Sequence, residues 1–242
     1  MDTFLVVFAA CMAGSIALCG IPFGLIIARN LNGIDVREAG SGNIGMTNVA
    51  RTAGASAAAL TFACDVGKGL FSMLLARTFL GVTMPEGFSF AVTDPGFAAL
   101  TVIYACCVLG HVYSPYLGFH GGKGISVGFG AALGLHWPIA ICLLVAFLLL
   151  ALPTRYISAG SICAAATLPI QAVALWHLTP WSTMPLILVS VVVIYAHRSN
   201  IIKLIRGEES RFSVKSSEGT SSRRSRVPPT KRRESEQNED WR

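Results

Sequence analysis

The chain has 242 residues, of which 53% are hydrophobic and only 13% are charged, and its formal net charge is +6. A soluble domain carries about 25% charged residues, so the composition excludes an ordinary soluble domain and indicates an integral membrane protein. Nine of the 19 Lys and Arg residues follow Arg206. We predict no nucleic-acid partner.

Six apolar segments precede the tail, each close to the roughly 20 residues that cross a bilayer. They are residues 3–28, 55–82, 96–117, 125–152, 156–175 and 185–205. The fourth is too long for one span and contains Pro138, and a proline removes a backbone donor and breaks a helix. We therefore divide it into two short helices that turn near His136. The prediction is an all-α bundle of about seven transmembrane helices.

Lys and Arg residues in short loops mark the cytoplasmic side of a membrane protein. Here they lie around the loop between the first and second segments, after the third segment, just before residue 156, and at the end of the last segment. They are Arg29, Arg37, Arg51, Lys68, Lys123, Arg155, Arg198, Lys203 and Arg206. The opposite loops contain a single basic residue, Arg77. With seven crossings, this asymmetry predicts an N-terminus outside and a C-terminus in the cytoplasm.

The chain divides into a membrane domain, residues 1–212, and a tail, residues 213–242. The tail is rich in Ser, Arg and Glu and almost free of apolar residues, so we predict a disordered, basic, cytoplasmic segment. The seven cysteines all lie in apolar segments, and none has the spacing of metal ligands. We predict neither a metal site nor a cofactor.

The first loop, residues 40–51, combines three glycines with amide and hydroxyl side chains and one arginine. Glycines let backbone N–H groups converge on an anion, and arginine adds a bidentate fork for phosphate. An ordinary polar loop capped by Thr47 or Asn48 is the alternative, but it does not explain so many donors next to Arg51. The candidate phosphate ligands are Ser41, Gly42, Asn43, Thr47, Asn48 and Arg51.

The second loop, residues 110–124, places three glycines around Lys123. They again indicate backbone close to an anion, and we expect Gly121 and Gly122 to let the backbone approach a phosphate. The loop is not a P-loop, because Gly124 replaces the hydroxyl residue that would hold magnesium. His111 is either a structural histidine near a helix end or a substrate ligand.

Polar residues also lie inside two apolar segments. His197, Asn200 and Leu204 have the spacing of one helix face, and polar groups at membrane depth need a partner or a function. Asp65 and Lys68 are three residues apart and can pair within their helix. That pair is either purely structural or holds a site open near the inner surface.

Four motifs, in this order, resemble the bacterial acyl-phosphate:glycerol-3-phosphate acyltransferases (PlsY type). They are Gly-Ser-Gly-Asn-x-Gly-x-Thr-Asn with a following Arg, Asp-x-x-Lys-Gly, Gly-His followed by Gly-Phe-x-Gly-Gly-Lys-Gly, and His-Arg-x-Asn-Ile ending in Gly-x-Glu. The likeness extends from about residue 3 to residue 212. Ile44, Met46 and His120 depart from the proline, alanine and lysine that are usual in the family.

The resemblance implies acyl transfer from a fatty acyl phosphate to the sn-1 hydroxyl of glycerol 3-phosphate, giving 1-acyl-sn-glycerol 3-phosphate and phosphate. It implies a site on the cytoplasmic face of the bacterial inner membrane. Membrane lipid is the surrounding partner, and the soluble enzyme that makes acyl phosphate is a candidate partner. The main alternative is a membrane transporter of a phosphorylated small molecule. No paired repeats are visible, and the polar groups lie on one side only, which argues against alternating access.

The resemblance also suggests roles for individual residues. We expect the phosphates and the developing oxyanion to be held by Ser41, Arg51, Lys123 and Asn200. His197 is the better candidate for the base, with a substrate phosphate oxygen as the alternative. Further substrate ligands would be Gly42, Asn43, Thr47, Asn48, Lys68, His111, Gly121 and Gly122. Asp65 and Glu209 would be structural residues near the site.

Overall fold

The computed structural model describes residues 1–211, and every regular element within them is helical. The α-helices are α1 (Asp2–Gly20), α2 (Phe23–Asn32), α3 (Met46–Thr52), α4 (Ala55–Thr83), α5 (Phe97–Val112), α6 (Ile125–Thr154), α7 (Ile157–Ala174), α8 (Pro180–Ala196) and α9 (Arg198–Ile205). A short 3-10 helix spans Pro115–Leu117. The predicted all-α fold is confirmed for this part of the chain. The predicted disordered tail, residues 213–242, lies outside the described residues.

Several helices are suited to crossing a membrane. Five stretches in the described region are long and apolar enough, namely Asp2–Asn32, Ala55–Thr83, Phe97–Leu117, Ile125–Thr154 and Ile157–Ala174. Helices α8 and α9 make a sixth when the bent pair is counted as one span. The protein is therefore a multi-span integral membrane protein, and the number seven stays a prediction.

The first predicted span is not one continuous helix. Helix α1 ends at Gly20 and α2 begins at Phe23, because the intervening Pro22 has no backbone N–H to continue the helix. The break brings the carbonyl of Ile21 to Nζ of Lys68 on α4, which donates a hydrogen bond of 2.8 Å to it. A charged side chain from α4 thus satisfies the broken end of α1.

The predicted break in the fourth segment is present within α6. His136 leaves the helical conformation, with φ −164° and ψ 103°, two residues before Pro138. Nη1 of Arg77 donates to the carbonyl of Leu135 at 2.9 Å, and Trp176 packs edge-on against the His136 ring with centroids 4.9 Å apart. Arg77, the exception to the predicted charge asymmetry, therefore stabilises the break.

The last predicted helix, residues 185–205, has wrong bounds and a wrong course. Helix α8 begins earlier, at Pro180, and the chain bends by 57° between α8 and α9. His197 lies at that junction, where it ends α8 and precedes α9. His197 is therefore outside the helix that contains Asn200 and Leu204, and the prediction of a single helix is wrong, although His197 and Asn200 line the same cavity.

Glycines bring α4 and α6 into close contact. A Cβ on Gly69 would fall 2.3 Å from the carbonyl oxygen of Val127, and one on Gly130 would fall 2.0 Å from that of Val66. Small residues let membrane helices approach this closely. The contact holds α4, with its buried Asp65–Lys68 pair, against the first arm of α6. That arm begins directly after the loop of Lys123.

Candidate active site

A cavity of about 400 Å³ lies where the motif-bearing loops meet the helix ends. Eleven of the fifteen predicted site residues line it: Ser41, Asn43, Thr47, Asn48, Arg51, Asp65, His111, Lys123, His197, Asn200 and Glu209. The other four, Gly42, Lys68, Gly121 and Gly122, are not among the residues that line it. Most of the remaining wall is apolar. The fold thus assembles distant motifs around one partly polar, partly apolar space.

Asn48 holds the first loop in shape. Its side chain is buried, and Nδ2 donates to the carbonyl oxygens of Val36 at 2.9 Å, Ala39 at 3.1 Å and Asn43 at 2.8 Å. Its Oδ1 accepts from the backbone N–H of Ser41 at 2.8 Å. An amide has only two hydrogens to donate. Both hydrogens of Asn48 are therefore used within the loop, whose course they fix.

Arg51 and Ser41 are exposed at the cavity. Within residues 1–211, the guanidinium of Arg51 and the hydroxyl of Ser41 take part in no hydrogen bond or ion pair, so both are available to a phosphate. Arg37 differs, because its guanidinium is bound to the carboxylate of Asp35 at 2.7 Å. That hydrogen-bonded pair, together with Arg29, holds the pKa of Asp35 well below its ordinary range. Arg29 and Arg37 are therefore paired with Asp35 before the loop begins, whereas Arg51 is a free cation at the cavity.

Lys123 belongs to a chain of hydrogen bonds. Its Nζ donates to Oδ1 of Asn200, and Nδ2 of Asn200 donates to Oε1 of Glu209 at 2.8 Å. Oγ of Ser158 donates to the same carboxylate oxygen at 2.7 Å. Glu209 thus acts on Lys123 through Asn200. Burial lowers the pKa of the Lys123 amine, and the negative charge of Glu209 partly offsets this.

Two residues of the site were missed by sequence reasoning. Ser158 is buried in the first turn of α7, in an apolar segment without any motif to mark it. Its contact with Glu209 and its place in the cavity wall reveal it. Lys203 has the appearance of a membrane anchor, yet it lines the cavity, and its charge contributes to lowering the pKa of Lys123.

A hydrogen bond determines which ring nitrogen of His197 can accept a proton. Its Nδ1 lies 2.8 Å from the carbonyl oxygen of Val193, and the ring is buried. Because a carbonyl can only accept, Nδ1 must carry the hydrogen, and the neutral ring then has Nε2 as its acceptor. His197 is therefore arranged to take a proton at Nε2.

The predicted pairing of Asp65 with Lys68 is confirmed. Nζ of Lys68 lies 2.8 Å from Oδ1 of Asp65, and both side chains are almost fully buried. The same Nζ contacts the carbonyl of Ile21 at 2.8 Å and Nδ1 of His111 at 3.0 Å. The ammonium therefore has two hydrogen-bond partners, Ile21 and His111, beside its ion pair with Asp65. Lys68 connects the α1–α2 break to His111, and its role as a substrate ligand stays a prediction.

Gly121 and Gly122 pack against the end of α5. Their N–H groups donate to the carbonyls of Val112 at 2.9 Å and His111 at 3.1 Å. A Cβ on Gly121 would fall 1.9 Å from the carbonyl oxygen of His111. The N–H groups expected to face a phosphate are therefore already used, and the part of these glycines in substrate binding stays a prediction.

Comparison with known proteins identifies relatives along most of the chain. Residues 9–207 match the family described as glycerol-3-phosphate acyltransferase. A protein of that name from Shewanella halifaxensis is 37% identical, covering 88% of this chain and 96% of its own. Another from Trichlorobacter lovleyi is 42% identical, covering 84% of this chain and 96% of its own.

Solved structures agree with the sequence relatives. The chain is similar to crystal structures of PlsY (YgiH), described as an integral membrane glycerol 3-phosphate acyltransferase. The glycerol 3-phosphate form has a TM-score of 0.73 and 30% identity, covering 85% of this chain and 96% of the other. The lysophosphatidic acid form has a TM-score of 0.71 and 29% identity, covering 86% and 96%.

These relatives, together with a helical membrane bundle whose cavity joins cationic groups to an apolar interior, define an integral membrane acyltransferase. The chain belongs to the glycerol-3-phosphate acyltransferase family. Membership places it in phospholipid synthesis and favours the enzyme over the alternative of a transporter.

Proposed function

We propose that this protein transfers a fatty acyl group from acyl phosphate to the sn-1 hydroxyl of glycerol 3-phosphate. The products are 1-acyl-sn-glycerol 3-phosphate and inorganic phosphate, and no cofactor takes part. The observation that carries the proposal is one cavity that is lined both by the cationic side chains of Arg51, Lys123 and Lys203 and by many apolar residues. Such a cavity suits two phosphate-bearing substrates, one of which has a long apolar chain.

The chemistry requires no protein nucleophile, since acyl phosphate is already activated. The acceptor hydroxyl attacks the acyl carbonyl carbon, an ester bond forms, and the bond from that carbon to the phosphate oxygen breaks. Phosphate leaves with the electron pair. The hydroxyl proton passes to Nε2 of His197 or to a substrate phosphate oxygen. Arg51 and Lys123 neutralise phosphate charge, and the second amide hydrogen of Asn200 is available to the developing oxyanion.

Ser41 is assigned the role of a hydrogen-bond donor. A nucleophilic serine is activated by a base held within hydrogen-bond reach. The polar contact of Ser41 is a backbone one, its N–H donating to Oδ1 of Asn48 at 2.8 Å. Its hydroxyl has no hydrogen-bonded base within residues 1–211. This arrangement supports direct transfer between the two substrates.

We also propose seven crossings in the bacterial inner membrane, with the site facing the cytoplasm. Helix α6 begins beside Lys123, and Ser158, four residues past its end, contacts Glu209 in the same cavity. A straight helix of 30 residues would be about 45 Å long. Both ends can therefore meet one site only if α6 folds back at His136. Its two arms, with α8–α9 as one span, bring the number of crossings to seven.

Side-specific labelling tests this topology. His120 is exposed on the loop of the site, and Glu86 is exposed on a loop at the other end of α4. In a background without native cysteines, His120→Cys should react with a membrane-impermeant maleimide only after the cells are opened. Glu86→Cys should react in intact cells. The reverse pattern would contradict the orientation.

The donor is tested with purified protein and labelled glycerol 3-phosphate. Palmitoyl phosphate should give labelled lysophosphatidic acid with one phosphate released per product, and Lys123→Met should give almost none. Palmitoyl-CoA should give no product. Product from the thioester alone would overturn the donor, and with it the proposed partnership with the soluble enzyme that makes acyl phosphate.

A further inference from the structure

We call the end of the cavity at the motif loops its polar mouth. From this mouth the cavity continues as an apolar slot between α5, α6, α7 and α8. We define the slot by its deepest lining residue on each helix, which are Tyr104, Leu143, Leu168 and Val189. Ala164 lines it at mid-depth. The slot is thus enclosed by four helices that cross the membrane.

Helix α7 gives the depth of the slot. Ser158 lies at the polar mouth, where it contacts Glu209, and Leu168 lies ten residues further along the same helix. At the α-helical rise per residue this separation is about 15 Å. The slot is therefore deep enough to take up a substantial length of an extended hydrocarbon chain.

The slot ends on packed core. One turn beyond its deepest residues, the four helices carry Leu100, Ile139, Ala172 and Leu186, which are 0%, 1%, 0% and 0% exposed. All four belong to the main apolar cluster of the bundle. Protein cores are close-packed and have no room for a further chain. The slot therefore has a closed floor.

We propose that this floor sets the length of the acyl chain that the enzyme uses best, with Leu168 fixing the depth of the slot and Ala164 its width. The inference rests on the proposed function, because it places the acyl chain of the donor in the slot. Each methylene group contributes to binding only when it is removed from a polar environment. A chain that reaches the floor gains no more from further methylenes, and a longer one must bend away or displace the core.

The test compares lauroyl, myristoyl, palmitoyl and stearoyl phosphate as donors and measures kcat/KM for each. Leu168→Ala lowers the floor, so the preferred donor should become longer by at least one member of the series. Ala164→Leu obstructs the slot at mid-depth, so the preferred donor should become shorter, with the longest one losing at least about tenfold. Leu168→Val is a milder change that should shift the preference in the same direction as Leu168→Ala.

Two matched variants control for packing. Leu80 on α4 is as deeply buried as Leu168 but is neither a floor residue nor among the lining residues of the cavity, and Ala166 is exposed on the same helix as Ala164. Leu80→Ala and Ala166→Leu should change the rates with all four donors by one common factor.

If the Leu168 and Ala164 variants also changed the rates with all four donors by one common factor, the proposal that the floor sets chain length would be contradicted. Acyl-phosphate transfer itself would be unaffected by that result. Failure of the unmodified enzyme with every acyl phosphate would instead refute the proposed function. The two failures are therefore distinguishable.

Discussion

Gly122 lies directly against the imidazole of His111, so that a Cβ at position 122 would fall 2.1 Å from Nε2. The ring is buried, and Nζ of Lys68 lies 3.0 Å from its Nδ1. His111 cannot move aside without losing that contact. Close packing against His111 therefore explains why residue 122 has no side chain.

Gly122→Ala should displace the His111 ring and impair the enzyme. Overpacking costs about 1–3 kcal/mol, and when half of this cost appears in the transition state the rate falls by about two- to tenfold. The measurement is kcat/KM for glycerol 3-phosphate in folded, purified protein. Gly14→Ala, at a helix position with nothing within 4 Å of the new Cβ, should leave it unchanged.

A double-mutant cycle tests whether the effect passes through His111. If it does, Gly122→Ala should cost little in a His111→Ala background. Fully additive losses would mean that the alanine acts elsewhere, for example on the loop backbone.

Arg51 should be required for transfer, because its guanidinium is free at the cavity. Removing a charge-assisted contact to phosphate from a partly dehydrated site costs about 2–4 kcal/mol, roughly a hundredfold in rate. Arg51→Lys should fail as well, since an ammonium lacks the planar fork. Arg37→Lys changes a nearby arginine, outside that loop, whose guanidinium is bound to Asp35, and it should retain nearly full activity. Equal losses in both variants would remove Arg51 from the site.

The activity should fall at high pH through Lys123. Burial disfavours the charged form, so the pKa of its amine is lowered, and the required ammonium is lost as the pH rises through that lowered pKa. The decrease in kcat/KM at high pH should therefore be centred below the pKa that lysine ordinarily has. Lys123→Arg keeps its charge at every accessible pH, so any activity it retains should lack this decrease. An unchanged decrease would assign it to another group.

Arg77 should contribute to stability without touching catalysis. Its loss leaves the carbonyl of Leu135 without its donor, which costs about 1–3 kcal/mol, and removes the contact with the Phe90 ring at 5.5 Å. Arg77→Met should lower the melting temperature in detergent and leave both KM values unchanged. Arg29→Ala, which breaks an exposed ion pair with Asp35, should change the melting temperature much less, because exposed ion pairs contribute little to stability. An unaltered melting temperature for Arg77→Met would mean that the α6 break needs no such donor.

The sequence predicted the helical membrane fold because apolar length is a local property. The break near His136 was predicted from Pro138, whereas the break at Pro22 was missed inside an equally apolar segment. The bend after α8 has no proline to mark it. Seven of the eleven predicted residues that line the cavity lie in the two glycine-rich loops, residues 40–51 and 110–124.

What the sequence could not supply are contacts between distant positions. Ser158 belongs to the site because it lies 2.7 Å from a carboxylate oxygen of Glu209, 51 residues away. Lys203 belongs because the bend at His197 turns α9 toward the cavity. The sequence led to a phosphate-binding role for Gly122. Its packing against His111 could not be predicted, because it depends on how the second loop returns to the end of α5.

The central claim is direct acyl transfer between two substrates bound together in the cavity. Its most direct test mixes purified enzyme with acyl phosphate, first without and then with glycerol 3-phosphate, while phosphate release and the intact protein mass are followed. We expect no burst of phosphate and no mass increase until the acceptor is added, with Ser41→Cys likewise forming no thioester. A burst stoichiometric with enzyme in the absence of acceptor, together with a covalent acyl adduct, would contradict the account.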